Sequence, residues 1–213
     1  MNAQWRMNAR WRRLAGVPRF MPLAGVAMGA LAGGVYWIGA LIWPTSIAVV
    51  LSMVATAPVF AEAGADTGAR TANLGLAGFV FAVLVKYNAL MALSAASLPY
   101  RLPANLALGL IMIAGQACSR ALVVSVLTAT TPPASKPASH LDLGIALAIG
   151  FAPAALIGLP GLFGLVAAIA ARIVFIACIR RYRPSVAAAE LDQTLQLTEV
   201  CFYLGALATW AYI

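Results

Sequence analysis

Seven apolar runs divide almost the whole chain, at residues 20–43, 46–60, 74–98, 105–128, 141–158, 161–179 and 195–213. About 20 mainly apolar residues cross the hydrocarbon of a bilayer as a helix. There, every backbone amide must find its partner within the protein, which leaves few folds other than helical bundles. Pro44, Pro99, Pro103, Pro132, Pro133, Pro160 and Pro184 stand at or just past the ends of these runs, as helix punctuation does. The expected fold class is all-α: a polytopic membrane helical bundle of about six to seven transmembrane helices, built as a single integral membrane domain over residues 1–213. Two stretches depart from the simple rule. Run 46–60 is short, and 141–179 reads either as a helical hairpin bent at Gly158-Leu159-Pro160-Gly161 or as something more irregular.

Composition agrees with a membrane protein: 63% of residues are apolar and 9% charged, where a soluble domain carries about a quarter charged. Cys118, Cys178 and Cys201 lie in apolar runs at unrelated spacings. With no CxxC and no nearby histidine, they indicate neither a disulfide framework nor a zinc site and read as small core residues. Residues 1–19 are basic, with Arg6, Arg10, Arg12, Arg13 and Arg19. The run that follows is too long for the apolar region of a cleaved signal peptide, about 7–15 residues, so the segment is expected to be retained. Beside a membrane span, five arginines point to orientation and lipid contact; no nucleic acid partner is expected.

With the N-terminus in the cytoplasm, the connections on that side hold the five N-terminal arginines, Arg70, Lys136, Arg180, Arg181 and Arg183, ten of the fourteen basic residues. The other side keeps only Arg101. This asymmetry follows the positive-inside rule, so span count and orientation support each other. The same orientation puts Glu62, Asp66, His140, Glu190 and Asp192 on the cytoplasmic side, while Trp37, Trp43 and Tyr100 fit interfacial anchors at the far ends of their spans.

Three cations remain inside the runs: Lys86 near the middle of 74–98, Arg120 in 105–128 and Arg172 in 161–179. An unpaired cation at the bilayer centre costs about 2.5–3.5 kcal/mol on insertion scales. Lys86 and Arg120 are therefore expected to line a polar interior, and Arg172 either snorkels or joins them. Glu62 and Asp66 are four residues apart after an apolar run, in a chain with six acidic residues in all. On a helix that spacing puts both carboxylates on one face, a costly pair at a membrane edge unless it meets a cation or polar substrate. Glu199, one turn into the last run, is either a third carboxylate of the same cavity or an interfacial glutamate that snorkels. Carboxylates able to hold Mg²⁺ beside cations able to hold phosphate are what transfer of a phosphate-linked group needs. The same charges are also compatible with structural ion pairs. Gly25, Gly29 and Gly33, at four-residue spacing in the first run, suit close helix packing in lipid.

The chain resembles the cobalamin synthase family, the membrane-bound adenosylcobinamide-GDP ribazoletransferases. The family's F-P-L-x-G-x-x-x-G-A opening is similar to Phe20-Met21-Pro22-Leu23-Ala24-Gly25-Val26-Ala27-Met28-Gly29-Ala30, and its acidic signature F-H-E-D-G-L-A-D-T to Phe60-Ala61-Glu62-Ala63-Gly64-Ala65-Asp66-Thr67. Its D-S-R-I-G motif and following lysine-bearing span resemble Ala69-Arg70-Thr71-Ala72-Asn73-Leu74-Gly75 and Leu84-Val85-Lys86. A small-S-R motif resembles Ala117-Cys118-Ser119-Arg120-Ala121, and the C-terminal motif matches through Leu191, Gln196 and Glu199. The resemblance covers nearly the whole chain in order, with no single motif intact.

The resemblance implies a polytopic protein of the bacterial inner membrane that joins α-ribazole to adenosylcobinamide-GDP, releases GMP and requires Mg²⁺. It implies that Glu62 and Asp66 hold the metal with Glu199 as helper, that Arg70, Lys86 and Arg120 bind the pyrophosphate, and that Glu62, Asp66, Lys86 and Arg120 carry the chemistry. The departures are specific. Ala61 and Ala63 replace a histidine and an aspartate, the second half of the acidic motif is missing between Thr67 and Arg70, and Ala188-Ala189 stands where the family has a Gly-Asp pair. A catalytically degenerate relative acting as a membrane scaffold or binding partner is therefore the alternative. A small-solute transporter is a further one, resting on Lys86 and Arg120, although the paired broken spans of such folds are lacking.

Overall fold

The computed structural model describes residues 18–56, 69–95, 104–130, 140–182 and 188–210. Among the described residues, after a 3-10 turn at Pro18–Phe20 come seven helices: α1 Met21–Ile42, α2 Thr45–Thr56, α3 Ala69–Ala95, α4 Ala104–Thr130, α5 His140–Leu156, α6 Leu159–Tyr182 and α7 Ala188–Trp210. The described residues contain no strand, so the all-α membrane bundle read from the sequence holds. Among the described residues, four stretches are long and apolar enough to cross a bilayer: Met21–Ile42, Gly78–Ala95, Leu106–Ala129 and Leu159–Arg181. The 12 described residues of α2 extend about 18 Å, less than the roughly 30 Å hydrocarbon core. Helix α7 has 23 residues but carries Glu190, Asp192, Gln193, Gln196 and Glu199.

Helix α4 is the centre of the bundle. In an 18-residue apolar window of its stretch Leu106–Ala129, 78% of residues are buried, against 17% in the corresponding window of Leu159–Arg181 of α6. The glycine series of α1 explains how α4 is enclosed. A Cβ at Gly25 would sit 2.5 Å from the Gln116 carbonyl oxygen, one at Gly33 would sit 3.0 Å from Gly109 Cα, and one at Gly29 would strike the Ile113 backbone. Without side chains at these positions the two backbones meet directly, the close packing in lipid that the spacing suggests.

The hairpin reading of 141–179 is the one the structure adopts. Gly158 has φ 78, the left-handed conformation that glycine takes without penalty. Its N–H donates to the Ala155 carbonyl at 3.1 Å, its own carbonyl accepts from Leu162 at 3.0 Å, and Pro160 follows in the first turn of α6, where no amide is missed.

One end of the bundle collects basic groups. Arg19, before α1, lies 3.8 Å from Asp142 in the first turn of α5, and Arg180, in the last turn of α6, donates to the Ala129 carbonyl near the end of α4 at 3.5 Å. Trp37 and Trp43, toward the other end of α1, are half exposed. Tyr100, Arg101, Lys136 and Arg183 lie outside the described residues.

Candidate functional site

The polar interior expected around Lys86 and Arg120 forms where α3, α4 and α7 meet. A glutamate within a membrane bundle must be placed inward or carried to the membrane edge, and Glu199 is placed inward, with no exposed surface. Its Oε1 accepts three hydrogen bonds: from Lys86 Nζ of α3 at 2.6 Å, from Gln116 Nε2 of α4 at 2.6 Å and from Tyr203 OH, one turn further along α7, at 2.9 Å. The Lys86 ammonium also stands 5.8 Å from the centre of the Tyr203 ring, within cation–π range.

A second layer extends along α4. Arg120 donates through Nη1 to both the backbone carbonyl of Gln116, at 3.0 Å, and the side-chain oxygen of Gln116. The amide of Gln116 is thereby oriented, its oxygen toward the guanidinium and its nitrogen toward Glu199. Ser119 Oγ donates to the same Gln116 carbonyl at 3.1 Å. On α7 the buried hydroxyl of Thr198 turns back on its own helix, donating to the Thr194 carbonyl at 2.7 Å, so it adds no polar demand to the core.

Local sequence makes room for this cluster. A Cβ at Gly115 would lie 2.6 Å from Tyr203 Cε1, so the glycine preceding Gln116 is what lets the tyrosine ring approach the α4 backbone. Lys86, Gln116, Arg120, Glu199 and Tyr203 are all buried, where a charge-assisted hydrogen bond is strong and an unpaired charge expensive. Lys86 and Glu199 neutralise each other. Glu199 Oε2 is buried and has no hydrogen-bond partner among the described residues.

The sequence-derived candidates thus separate. Lys86, Arg120 and Glu199, from three distant stretches, come together. Glu199 does not snorkel; it is the counter-ion of Lys86. Glu62 and Asp66 lie outside the described residues; Arg70 is in the first turn of α3, and its side chain, like that of His140 at the start of α5, also lies outside them. Arg172 takes an intermediate position, half-buried, with Nη2 donating to the Ser125 carbonyl of α4 at 3.2 Å. Cys118 is a core residue, whereas Cys178 is exposed on the outer surface of α6 and so departs from the core reading.

Gln116 and Tyr203 were missed by sequence reasoning. Each stands four residues from a charged residue on the same helix, Gln116 before Arg120 and Tyr203 after Glu199, and that spacing was the available signal.

As a metal ligand set the described cluster does not fit Mg²⁺. No group of three or more His, Cys, Asp or Glu side chains comes together among the described residues, and a lysine ammonium already bonds the Glu199 carboxylate. Mg²⁺ favours one or two free carboxylates with water and phosphate oxygens. Comparison of the chain with protein-family models, with curated proteins and with solved structures gives no match.

Proposed function

We propose that this chain is a multi-pass protein of the bacterial inner membrane, N-terminus in the cytoplasm, with the activity of the cobalamin synthases it resembles. The hydroxyl oxygen of α-ribazole bonds to the phosphorus of the adenosylcobinamide phosphate, the anhydride bond to GMP breaks, and the hydroxyl proton is lost. The observation that carries the reading is the convergence of Lys86, Arg120 and Glu199. These residues stand in three separate motifs of the resemblance, and motif positions that serve one site must meet in space.

In this reading Lys86 and Arg120 are the cationic wall against which the pyrophosphate lies, and Glu199 with Gln116 fixes where those cations point. The Mg²⁺ requirement rests on Glu62 and Asp66; when bound, the ion would neutralise charge on the leaving pyrophosphate. The test is GMP release from adenosylcobinamide-GDP and α-ribazole by the purified protein with Mg²⁺. Turnover that is abolished by Glu62→Gln supports the proposal, and no turnover in any lipid sinks it.

A second reading is favoured by one feature: the positive charge of Lys86 is already balanced by Glu199, and the whole cluster is buried. A chain that kept the fold and lost the acidic half-motif would retain this ion pair as a structural pin and serve as a membrane scaffold or binding partner. Calorimetry separates the two. Binding of adenosylcobinamide-GDP without product supports the second reading, and turnover removes it.

A further inference from the structure

Two cations outside the buried cluster are brought together where the ends of α4 and α6 meet. Arg172 and Arg180 stand eight residues apart on α6, about 12 Å along the axis and about 80° around it. Both side chains reach to α4: Arg172 Nη2 donates to the Ser125 carbonyl at 3.2 Å and Arg180 Nη2 to the Ala129 carbonyl at 3.5 Å. Those two acceptors are one turn apart, about 6 Å along α4. The guanidiniums are thus drawn closer than their own helix spaces them, near enough for Arg180 to repel Arg172.

No carboxylate answers this pair. Among the described residues the salt bridges are Arg19 with Asp142 and Lys86 with Glu199, so neither Glu190 nor Asp192 of α7 forms one with Arg172 or Arg180. Each of the two arginines has a neutral backbone oxygen as its hydrogen-bond acceptor. The carbonyl dipoles near the end of α4 favour positive charge there, but they carry no net charge to cancel two cations. Arg172 is half-buried, and its Nε is buried without a hydrogen-bond partner among the described residues. A buried donor without an acceptor is costly. Arg181 is not part of the pair, because nine residues turn it about 180° from Arg172, onto the opposite face of α6.

We infer that Arg172 and Arg180 form a binding site for a phosphate group at the junction of α4 and α6. A phosphate supplies the missing negative charge and several acceptor oxygens, and guanidiniums are suited to it by their planar fork of donors. The two arginines have different parts. Arg172 is the fixed member, whose unmatched Nε takes a phosphate oxygen. Arg180 is exposed and holds its carbonyl beyond the usual hydrogen-bond length, so it is the member that swings onto the ligand. The phosphate comes either from the headgroup of a phospholipid in the adjoining leaflet or from a soluble ligand. The site uses none of the residues of the buried cluster and does not depend on the enzymatic reading.

The experiment has two arms, both on the full chain in neutral detergent. In the first, native mass spectrometry compares phosphatidylglycerol with diacylglycerol of identical acyl chains, which lacks the phosphate. In the second, inorganic phosphate is titrated and its binding read from ³¹P line broadening. Phosphatidylglycerol should be retained roughly tenfold more tightly than diacylglycerol, or phosphate should broaden, and Arg172→Gln and Arg180→Gln should each reduce that signal about fivefold. Arg181→Gln should leave it unchanged. Because Arg180 is exposed, Arg180→Gln against Arg181→Gln decides the matter even where Arg172→Gln fails to fold. A response in the lipid arm alone assigns the site to a headgroup, in the phosphate arm alone to a soluble ligand, and in both to phosphate from either source. No response in either arm overturns the inference, and so does an equal loss in Arg180→Gln and Arg181→Gln, which would mean attraction by the general positive charge of this end.

Discussion

Lys86 Nζ and Glu199 Oε1 are 2.6 Å apart inside the bundle, on helices whose residues are 113 positions apart in the chain. Removing one member of such a pair leaves the other charge buried and uncompensated, which costs about 3–5 kcal/mol. Lys86→Met and Glu199→Gln should each lower stability by that order. The double variant should recover most of the loss, because neither charge remains. Unfolding by SDS in mixed micelles, arranged as a double-mutant cycle, measures the coupling; additive losses would show that the two side chains are not partners in the membrane.

Gln116 joins Arg120 to Glu199, so its loss should exceed that of a single hydrogen bond. Gln116→Leu is expected to cost about 1–3 kcal/mol. Tyr203→Phe, which deletes one donor and keeps the ring on Gly115, should cost about 0.6–1.7 kcal/mol, the range seen for hydrogen bonds between membrane helices. The same unfolding assay ranks them, and a larger effect for Tyr203→Phe would reverse this order.

Two glycines of α1 provide a matched test of helix contact. Gly29 faces the Ile113 backbone, whereas a Cβ at Gly34 meets nothing within 4 Å. Gly29→Ala should destabilise by about 1–3 kcal/mol through overpacking. Gly34→Ala should be neutral or slightly stabilising, since alanine is the better helix former. Thermal unfolding of the two purified variants in one detergent distinguishes them.

The three cysteines should react in a fixed order. Cys178 is exposed, Cys201 intermediate and Cys118 fully buried. N-ethylmaleimide followed by peptide mass mapping should modify Cys178 first, Cys201 more slowly and Cys118 only on unfolding. Early labelling of Cys118 would mean that α4 is not the enclosed centre of the bundle.

Much of this architecture was legible in the chain because hydrocarbon imposes a length on every span and a cost on every charge. Runs 20–43 and 105–128 are close to α1 and α4, and Gly158-Leu159-Pro160-Gly161 carried the chemistry of the α5–α6 turn. Positions at the interior, by contrast, depend on which helices face each other. That Lys86 and Arg120 needed a polar surrounding followed from burial cost alone. That Glu199 would supply it for Lys86 did not, since nothing in a one-dimensional pattern distinguishes a glutamate that turns inward from one that reaches the interface. Gln116 and Tyr203 were silent for a related reason: an amide and a phenol are tolerated in a span without a partner far more readily than a charge, so neither demanded an explanation until the helices were brought together.

The order of synthesis gives the Lys86–Glu199 pair one more role. At about 5–20 residues per second, the lysine is synthesised roughly 6–23 s before its counter-ion, 113 positions later. During that interval the Lys86 ammonium lacks the Glu199 carboxylate, a standing attraction for the helix that brings it. Among the described residues, α7 is not one of the four helices apolar enough to cross by composition. Helix α7 thus meets a charge made before it, and the waiting lysine guides where it docks.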